Sequence, residues 1–154
     1  VIHLSAQVEP FSAVLPEMLP MLPQHWDELA LDKESVPLDP RWDVYARMER
    51  DGELLLVTLR ERGRLVGYSW TFVMPHLHYG STLSAAMDIF WIAPEYRGRM
   101  GGKRLFKAVE AELRRRGVKR WMVGSKLHRD SSRLFLALGF KPAELWLSKL
   151  LGGN

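Results

Sequence analysis

Pro94-Glu95-Tyr96-Arg97-Gly98-Arg99-Met100-Gly101-Gly102 stands between an apolar run, Met87 to Ile92, and an amphipathic stretch, Lys103 to Arg116. A strand that ends in a glycine-rich turn and then opens a helix leaves backbone N–H groups without intrahelical acceptors, and an anion can occupy them. Arg97, Arg99, Lys103 and Arg104 bracket that turn. Guanidinium forks suit phosphate oxygens and the lysine adds a point charge, the alternative for each being an ordinary solvated helix start.

Working outward, Leu105, Val109 and Leu113 recur at helical spacing, and Glu110 with Arg114 and Glu112 with Arg116 form pairs four apart on the wet face. Gly117 is placed to end this helix as a left-handed cap. Val118 to Val123 reads as the next strand, so strand, helix and strand imply a right-handed parallel crossover. Asp130 or Ser131 caps a last helix carrying Leu134, Phe135 and Leu138, closed by Gly139 with Phe140 as its apolar partner, and Trp146 to Leu150 reads as a final strand. Upstream, Leu83 to Ile92 alternates with Met87, Ile89 and Trp91 on one face and Asp88, Phe90 and Ile92 on the other. Leu54 to Leu59 and Leu65 to Val73 flank a hairpin turn, Glu61-Arg62-Gly63-Arg64. Asp39 as N-cap and Pro40 at the first helical position start a helix with Trp42, Tyr45 and Met48 on one face, ended by Gly52. From Pro10 to Leu31 helical spacing is interrupted by Pro16, Pro20 and Pro23, which predicts short or broken helices after a first strand over Val1 to Gln7.

The 154 residues, 47% hydrophobic, fit a single domain over residues 1–154 with a core that needs no staples. The chain has no cysteine, which excludes disulfides, thiolate nucleophiles and Cys-ligated zinc and fits a reducing, cytoplasmic location. No apolar run reaches the length of a membrane span, so a soluble protein without a membrane partner is expected. The net charge of +4 is concentrated around Arg97 to Arg120, where a polyanionic cofactor explains it as well as nucleic acid would. Nucleic acid is disfavoured because aromatic residues do not interleave with the basic ones on a strand face.

From about Leu54 to Leu150, and most strongly over Asp88 to Phe140, the chain resembles the GNAT superfamily of acyl-CoA-dependent N-acetyltransferases. That family writes its turn Arg/Gln-x-x-Gly-x-Gly/Ala. Arg97 holds the first position here and Gly102 the last, while Met100 stands where the first glycine is usual. Leu138-Gly139-Phe140 is similar to the family's C-terminal motif. A looser similarity to small phage and prophage GNAT proteins runs through Pro75 to Tyr79 and Lys126-Leu127-His128. The resemblance implies an α/β (α+β) GNAT fold, a mixed, mostly antiparallel central sheet splayed in the middle with helices on both faces. It further implies acetyl-CoA (coenzyme A) as cofactor, an amine acceptor, a ternary complex with direct attack, and a homodimer through C-terminal strands as one option. The pyrophosphate would meet Arg97, Gly98, Arg99, Met100, Gly101, Gly102 and Lys103, and pantetheine would pair with the backbone of Phe90, Trp91 and Ile92 in the slot left by the splayed strands.

Acetyl transfer needs a deprotonated amine, a polarised thioester and a proton for the leaving thiolate. Asp88 is the polar residue inside an apolar run, and burial would raise its pKa toward that of a useful base; it could equally bond a nearby backbone or basic group. His76 and His78 alternate in an extended segment and share a side, so either could relay the acceptor's proton, hold a hairpin hydrogen bond or, with no third ligand in view, fail to hold zinc. His128 falls where the family often has a cofactor-contacting asparagine, and could bind CoA, act as acid or simply sit in an exposed loop. The family's acidic tyrosine is replaced by Phe135, leaving Tyr79 and Tyr96 as donors by chemistry alone. The competing reading is a CoA-binding or protein-interaction module of the same fold with little catalysis, favoured by Met100 and Phe135. Glu28, Asp32, Glu34 and Asp39 in the N-terminal third suit a cationic amine or a solvated surface.

Overall fold

The computed structural model describes residues 1–152; Gly153 and Asn154 at the end of the expected domain lie outside the described residues. The chain runs β1 (Leu4–Val8), α1 (Phe11–Met18), α2 (Leu22–Leu29), α3 (Trp42–Arg50), β2 (Leu54–Glu61), β3 (Arg64–His76), β4 (Tyr79–Ile92), α4 (Gly101–Arg115), β5 (Arg120–Met122) and α5 (Ser132–Ala137). The strands lie in sequence order in one sheet, antiparallel except for the parallel pair β4 and β5.

The strand β2 is buried along nearly its whole length because both faces are covered. Leu59 meets the start of α4 at Gly101 on one face. On the other, Leu56 sits opposite Trp70, whose ring packs edge-on to Phe11 at 4.8 Å and to Tyr45 at 5.1 Å, from α1 and α3. Against expectation Pro16 lies inside α1 without breaking it, while Pro20 falls in the turn between α1 and α2 and Pro23 in the first turn of α2; the aromatic contacts help these short helices hold their place. The β2–β3 hairpin turns at Arg62 and Gly63, both with positive φ, the backbone of a tight two-residue turn. Arg60, 8% exposed, ties β2 to the N-terminal segment through Glu9 at 2.8 Å and Glu17 on α1 at 2.8 Å.

Three expectations need correcting. The segment over Trp146 to Leu150 is not a strand: Leu145, Trp146 and Leu147 are 71%, 82% and 88% exposed and pair with nothing in the sheet. A strand needs ladder partners, and apolar content alone does not supply them. The helix α3 starts at Trp42 rather than Pro40, after Arg41 and without a side-chain cap, so Asp39 is not its N-cap. The faces of β4 also divide differently. Its register against β3 shifts between Ile89, opposite Trp70, and Met87, opposite Thr71, which leaves Asp88 as an extra residue, a β-bulge. An inserted residue reverses the parity of everything on one side of it. Asp88 consequently joins Ile89 and Trp91 on the face covered by α1–α3, while Phe90 points to α4 and α5, 5.1 Å from Phe106 and 5.8 Å from Phe135.

Candidate active site

The bulge sits where the sheet opens. β4 and β5 pair only over Ser84–Ala86 and Arg120–Met122, and β4 then continues alone to Ile92 along that edge. Backbone groups alternate sides along a strand. Ala93 donates its N–H to Val66 in β3, so Trp91 is turned to β3 as well, and Phe90 and Ile92 direct their amide groups into the opening. The backbones of Phe90 and Ile92 therefore line the slot and that of Trp91 does not.

Beyond Ile92 the chain makes a short 3-10 turn, Pro94–Tyr96, and reaches α4. No acceptor within the described residues takes the amide hydrogens of Gly98 through Lys103, the first hydrogen bond of this stretch being Arg104 N–H to the Met100 carbonyl at 3.0 Å. Met100 is the residue before the helix and has φ +64° and ψ 0°, a left-handed conformation that glycine adopts far more readily. The turn thus carries a side chain at a left-handed position that favours glycine. The next two glycines serve packing. A Cβ at Gly101 would meet Leu59 at 3.0 Å and one at Gly102 would meet Leu134 of α5 at 2.8 Å. Gly102 makes room for α5, a role that its place in the turn did not reveal.

The cations of the turn part company. Arg97 is folded back: its Nε donates to the Ile92 carbonyl at 2.8 Å and its Nη2 to Glu28 of α2 at 2.7 Å. In this arrangement the Arg97 fork is engaged by a carboxylate and a carbonyl rather than turned toward the amides. Arg104 donates to the Leu4 carbonyl at 3.1 Å and anchors α4 to β1. Arg99 and Lys103 form no ion pair among the described residues and flank the unpaired amides. Six amides, two cations and the slot edge of Phe90 and Ile92 form a donor set that fits a pyrophosphate carrying an extended, amide-bearing arm.

Glu28 also accepts from Arg129 in the β5–α5 loop at 3.2 Å and from the Trp91 indole at 3.4 Å. Burial alone would raise its carboxyl, but these hydrogen bonds and the Arg97 charge bring it below its usual value. One carboxylate on α2 thereby joins the segments that follow the two splayed strands. The sequence showed Glu28 only as one acid of several.

At the other end of the slot, the Tyr45 hydroxyl of α3 donates to Asp88 Oδ2 at 2.6 Å. Burial raises the Asp88 carboxyl above its ordinary value and the Tyr45 hydrogen bond opposes that rise. Burial and the adjacent carboxylate push the Tyr45 hydroxyl well above the phenol range, so it stays a donor. Tyr45 was visible in the sequence only as part of an apolar stripe. The signal was its hydroxyl, since a phenol on a buried face needs a partner.

The remaining candidates lie elsewhere. His76 and His78 are exposed at the β3–β4 hairpin tip, rings 5.2 Å apart, with the His78 amide donating to His76 Nδ1 at 3.1 Å. Five residues of strand, on the order of 17 Å at strand rise, separate them from the bulge. His128 is exposed in the tight turn Lys126–Arg129. Tyr96 is buried and donates to Glu61 at 2.9 Å, Tyr79 lies at the hairpin tip, and Phe135 is 4% exposed within an aromatic cluster with Phe106 and Phe140. No group of acidic, histidine or cysteine side chains able to hold a metal occurs among the described residues, and no described helix is long and apolar enough to cross a membrane.

The model of the acetyltransferase (GNAT) family matches residues 19–140, which include the bulge, the turn and the Leu-Gly-Phe end. The chain belongs to the GNAT acetyltransferase family. Among solved structures it is similar to a ribosomal-protein-alanine N-acetyltransferase from Brucella melitensis biovar Abortus 2308 (TM-score 0.68, 17% identity, 99% of this chain and 100% of that one). It is similar also to glucosamine-6-phosphate N-acetyltransferase from Arabidopsis thaliana (0.72, 10% identity, 97% and 99%). A third, a predicted acetyltransferase from Clostridium acetobutylicum solved with acetyl-CoA, has TM-score 0.70 at 10% identity over 96% of each chain. No curated protein matches in sequence. At these identities the neighbours share the GNAT fold with this chain.

Proposed function

We propose that residues 1–154 form an N-acetyltransferase that moves an acetyl group from acetyl-CoA to an amine by direct attack in a ternary complex, with Asp88 as the base. The observation that carries this reading is the coincidence of three features: a bulge that splays β4 from β5, a half-buried carboxyl on that bulge, and six unpaired amides at the far end of the same opening. Bound acetyl-CoA would supply the acyl thioester on which the amine acts. The amides of Gly98 to Lys103, with Arg99 and Lys103, would hold its phosphates, and the backbones of Phe90 and Ile92 would orient the arm. Asp88 would take the proton of the attacking amine, directly or through a water, and Tyr45 is the positioning residue that fixes the carboxylate and counters the upward push of burial. Phe135 has no proton to give, so the leaving thiolate would be protonated from solvent.

Met100 in a strained conformation and an apolar Phe135 favour a second reading, a CoA-binding module with weak turnover. The exposed apolar side chains of Leu145, Trp146, Leu147 and Leu151, with the unpaired outer edge of β5, support a homodimer through that segment. A single series separates transferase from module. Asp88→Asn should lower kcat by roughly 100-fold or more, the lower range of general-base effects, while calorimetric acetyl-CoA affinity stays within about twofold. Tyr45→Phe removes the hydrogen bond that lowers the Asp88 pKa, so the acid limb of kcat/KM should move to higher pH. Full activity in Asp88→Asn would sink the base assignment, and no acetyl-CoA binding by the parent would sink both readings.

A further inference from the structure

Beside the hairpin tip an open cleft of about 390 Å³ is lined by Arg120, Lys119, His78, Tyr79, Thr82 and Ser84, among others, without a carboxylate. Lys119 and Arg120 have no acidic partner within salt-bridge reach among the described residues. The Arg120 guanidinium lies 5.6 Å over the Tyr79 ring, a cation–π contact that limits its freedom. Two unpaired cations, hydroxyls and an imidazole facing one cleft make an oxyanion receptor.

Its position relative to Asp88 gives it meaning. Phe72, which packs against Tyr45 of α3, lies opposite Ala86, and Met74 lies opposite Ser84, so Ala86 and Ser84 occupy the same sheet face as Tyr45 and the Asp88 side chain. Arg120 and Met122 are the β5 neighbours of Ser84 and Ala86 and share that face. Ala86, Arg120 and Met122 are exposed, so the helices leave this strip of sheet bare. A straight run along β4 from Asp88 over Ala86 to Ser84 covers four residues, on the order of 13 Å.

Building on the acetyltransferase reading, we propose that the acceptor is an amine that also bears an oxyanion, carboxylate or phosphate, held by Arg120 and Lys119 beside the hairpin tip, about 13 Å or more along β4 from the Asp88 that deprotonates the amine. This assigns a substrate class to the bare strip. It gives the hairpin a binding role and disfavours acceptors that are cationic throughout, which the two unpaired positive charges would repel.

The probes are C-terminally amidated pentapeptides with a free α-amine, four residues of extended chain reaching about 13 Å. They differ only in the fifth residue: glutamate, phosphoserine, glutamine or lysine. Calorimetry on the parent should show the glutamate or phosphoserine peptide binding about tenfold tighter than the glutamine peptide, with the preference shrinking as salt rises. The glutamate and phosphoserine arms distinguish carboxylate from phosphate. Arg120→Glu, checked for folding by circular dichroism, should abolish that preference and turn it toward the lysine peptide, and Lys119→Ala should reduce it. These titrations need no turnover, and a separate acetyl-CoA titration reads the transferase assignment, so the two ideas fail separately. Equal binding of charged and neutral peptides, no binding of any of them, or an Arg120→Glu protein that still prefers the acidic peptide overturns the proposal.

Discussion

Met100→Gly should make the protein both more stable and a better binder of acetyl-CoA, and the two gains have different origins. Met100 sits at φ +64° before α4 with 58% of its surface exposed and no side-chain cap. A non-glycine residue in the left-handed region costs about 1–2 kcal/mol. Glycine loses more chain entropy on folding, about 0.5–1 kcal/mol, so the net gain is on the order of 0.5–1 kcal/mol. For a chain of this length that is a rise in Tm of roughly 1–4 °C. The strain is present with and without ligand and cancels from an affinity. A tighter Kd for acetyl-CoA therefore reports only what the methionine side chain denies the phosphates, and a gain of several-fold corresponds to about 1 kcal/mol. Arg62, at φ +47° in the β2–β3 turn, supplies the control. Arg62→Gly relieves the same kind of strain far from the cofactor turn and should shift Tm alone. Differential scanning calorimetry and isothermal titration decide the matter. A Met100→Gly protein less stable than the parent would refute the strain argument, and a stabilised one with unchanged Kd would show that the side chain does not face the phosphates.

His25 makes stability depend on pH above the carboxylate range. Burial pushes its pKa from 6.5 down to about 4, so the folded state holds it neutral while the unfolded chain takes a proton below 6.5. That stabilisation is complete above pH 6.5 and lost as pH falls toward 4, amounting to about 2 kcal/mol between pH 6.5 and 5. Denaturant titrations at those two values should show the loss in the parent and a flatter profile in His25→Gln; equal slopes would discard it, since the other four histidines are exposed. Gly102→Ala sets a methyl against the Leu134 side-chain end and should destabilise by about 1 kcal/mol or less, recovered when Leu134→Ala is added, and additive losses in the double variant would place Gly102 away from α5.

Much of the architecture is legible because it rests on local chemistry. The Arg62-Gly63 turn and the left-handed Gly117 and Gly139 ends lie where glycine must be, and Glu110–Arg114 and Glu112–Arg116 pair at 2.7 and 2.8 Å as their spacing requires. What escaped was decided by partners distant in sequence. Arg97 reads as a phosphate ligand, and its ion pair with Glu28, 69 residues away, leaves no trace in the local spacing. Gly102 reads as a ligand-facing glycine until Leu134 occupies the space beside it. Trp146 to Leu150 reads as a strand from its apolar content, yet no neighbouring strand pairs with it.

The bulge at Asp88 sets both the direction of its carboxylate and the opening beside β4. Had β4 kept strict alternation, Asp88 would share the face of Phe90 and point at Phe106 and Phe135, where no hydroxyl waits for it. One extra residue turns it to Tyr45, and it also bends the strand away from β5 beyond Ala86, which opens the slot. It also changes which backbone groups face that slot: Leu83 offers its carbonyl to Lys119 on the β5 side below the bulge, and past it Phe90 and Ile92 take over that direction, although their numbers have the opposite parity. The turn of the Asp88 carboxylate to Tyr45 and the facing of the Phe90 and Ile92 amides into the opening are thus two consequences of a single insertion. Deleting one residue there should therefore cost the site both of them together, even where the rest of the sheet still forms.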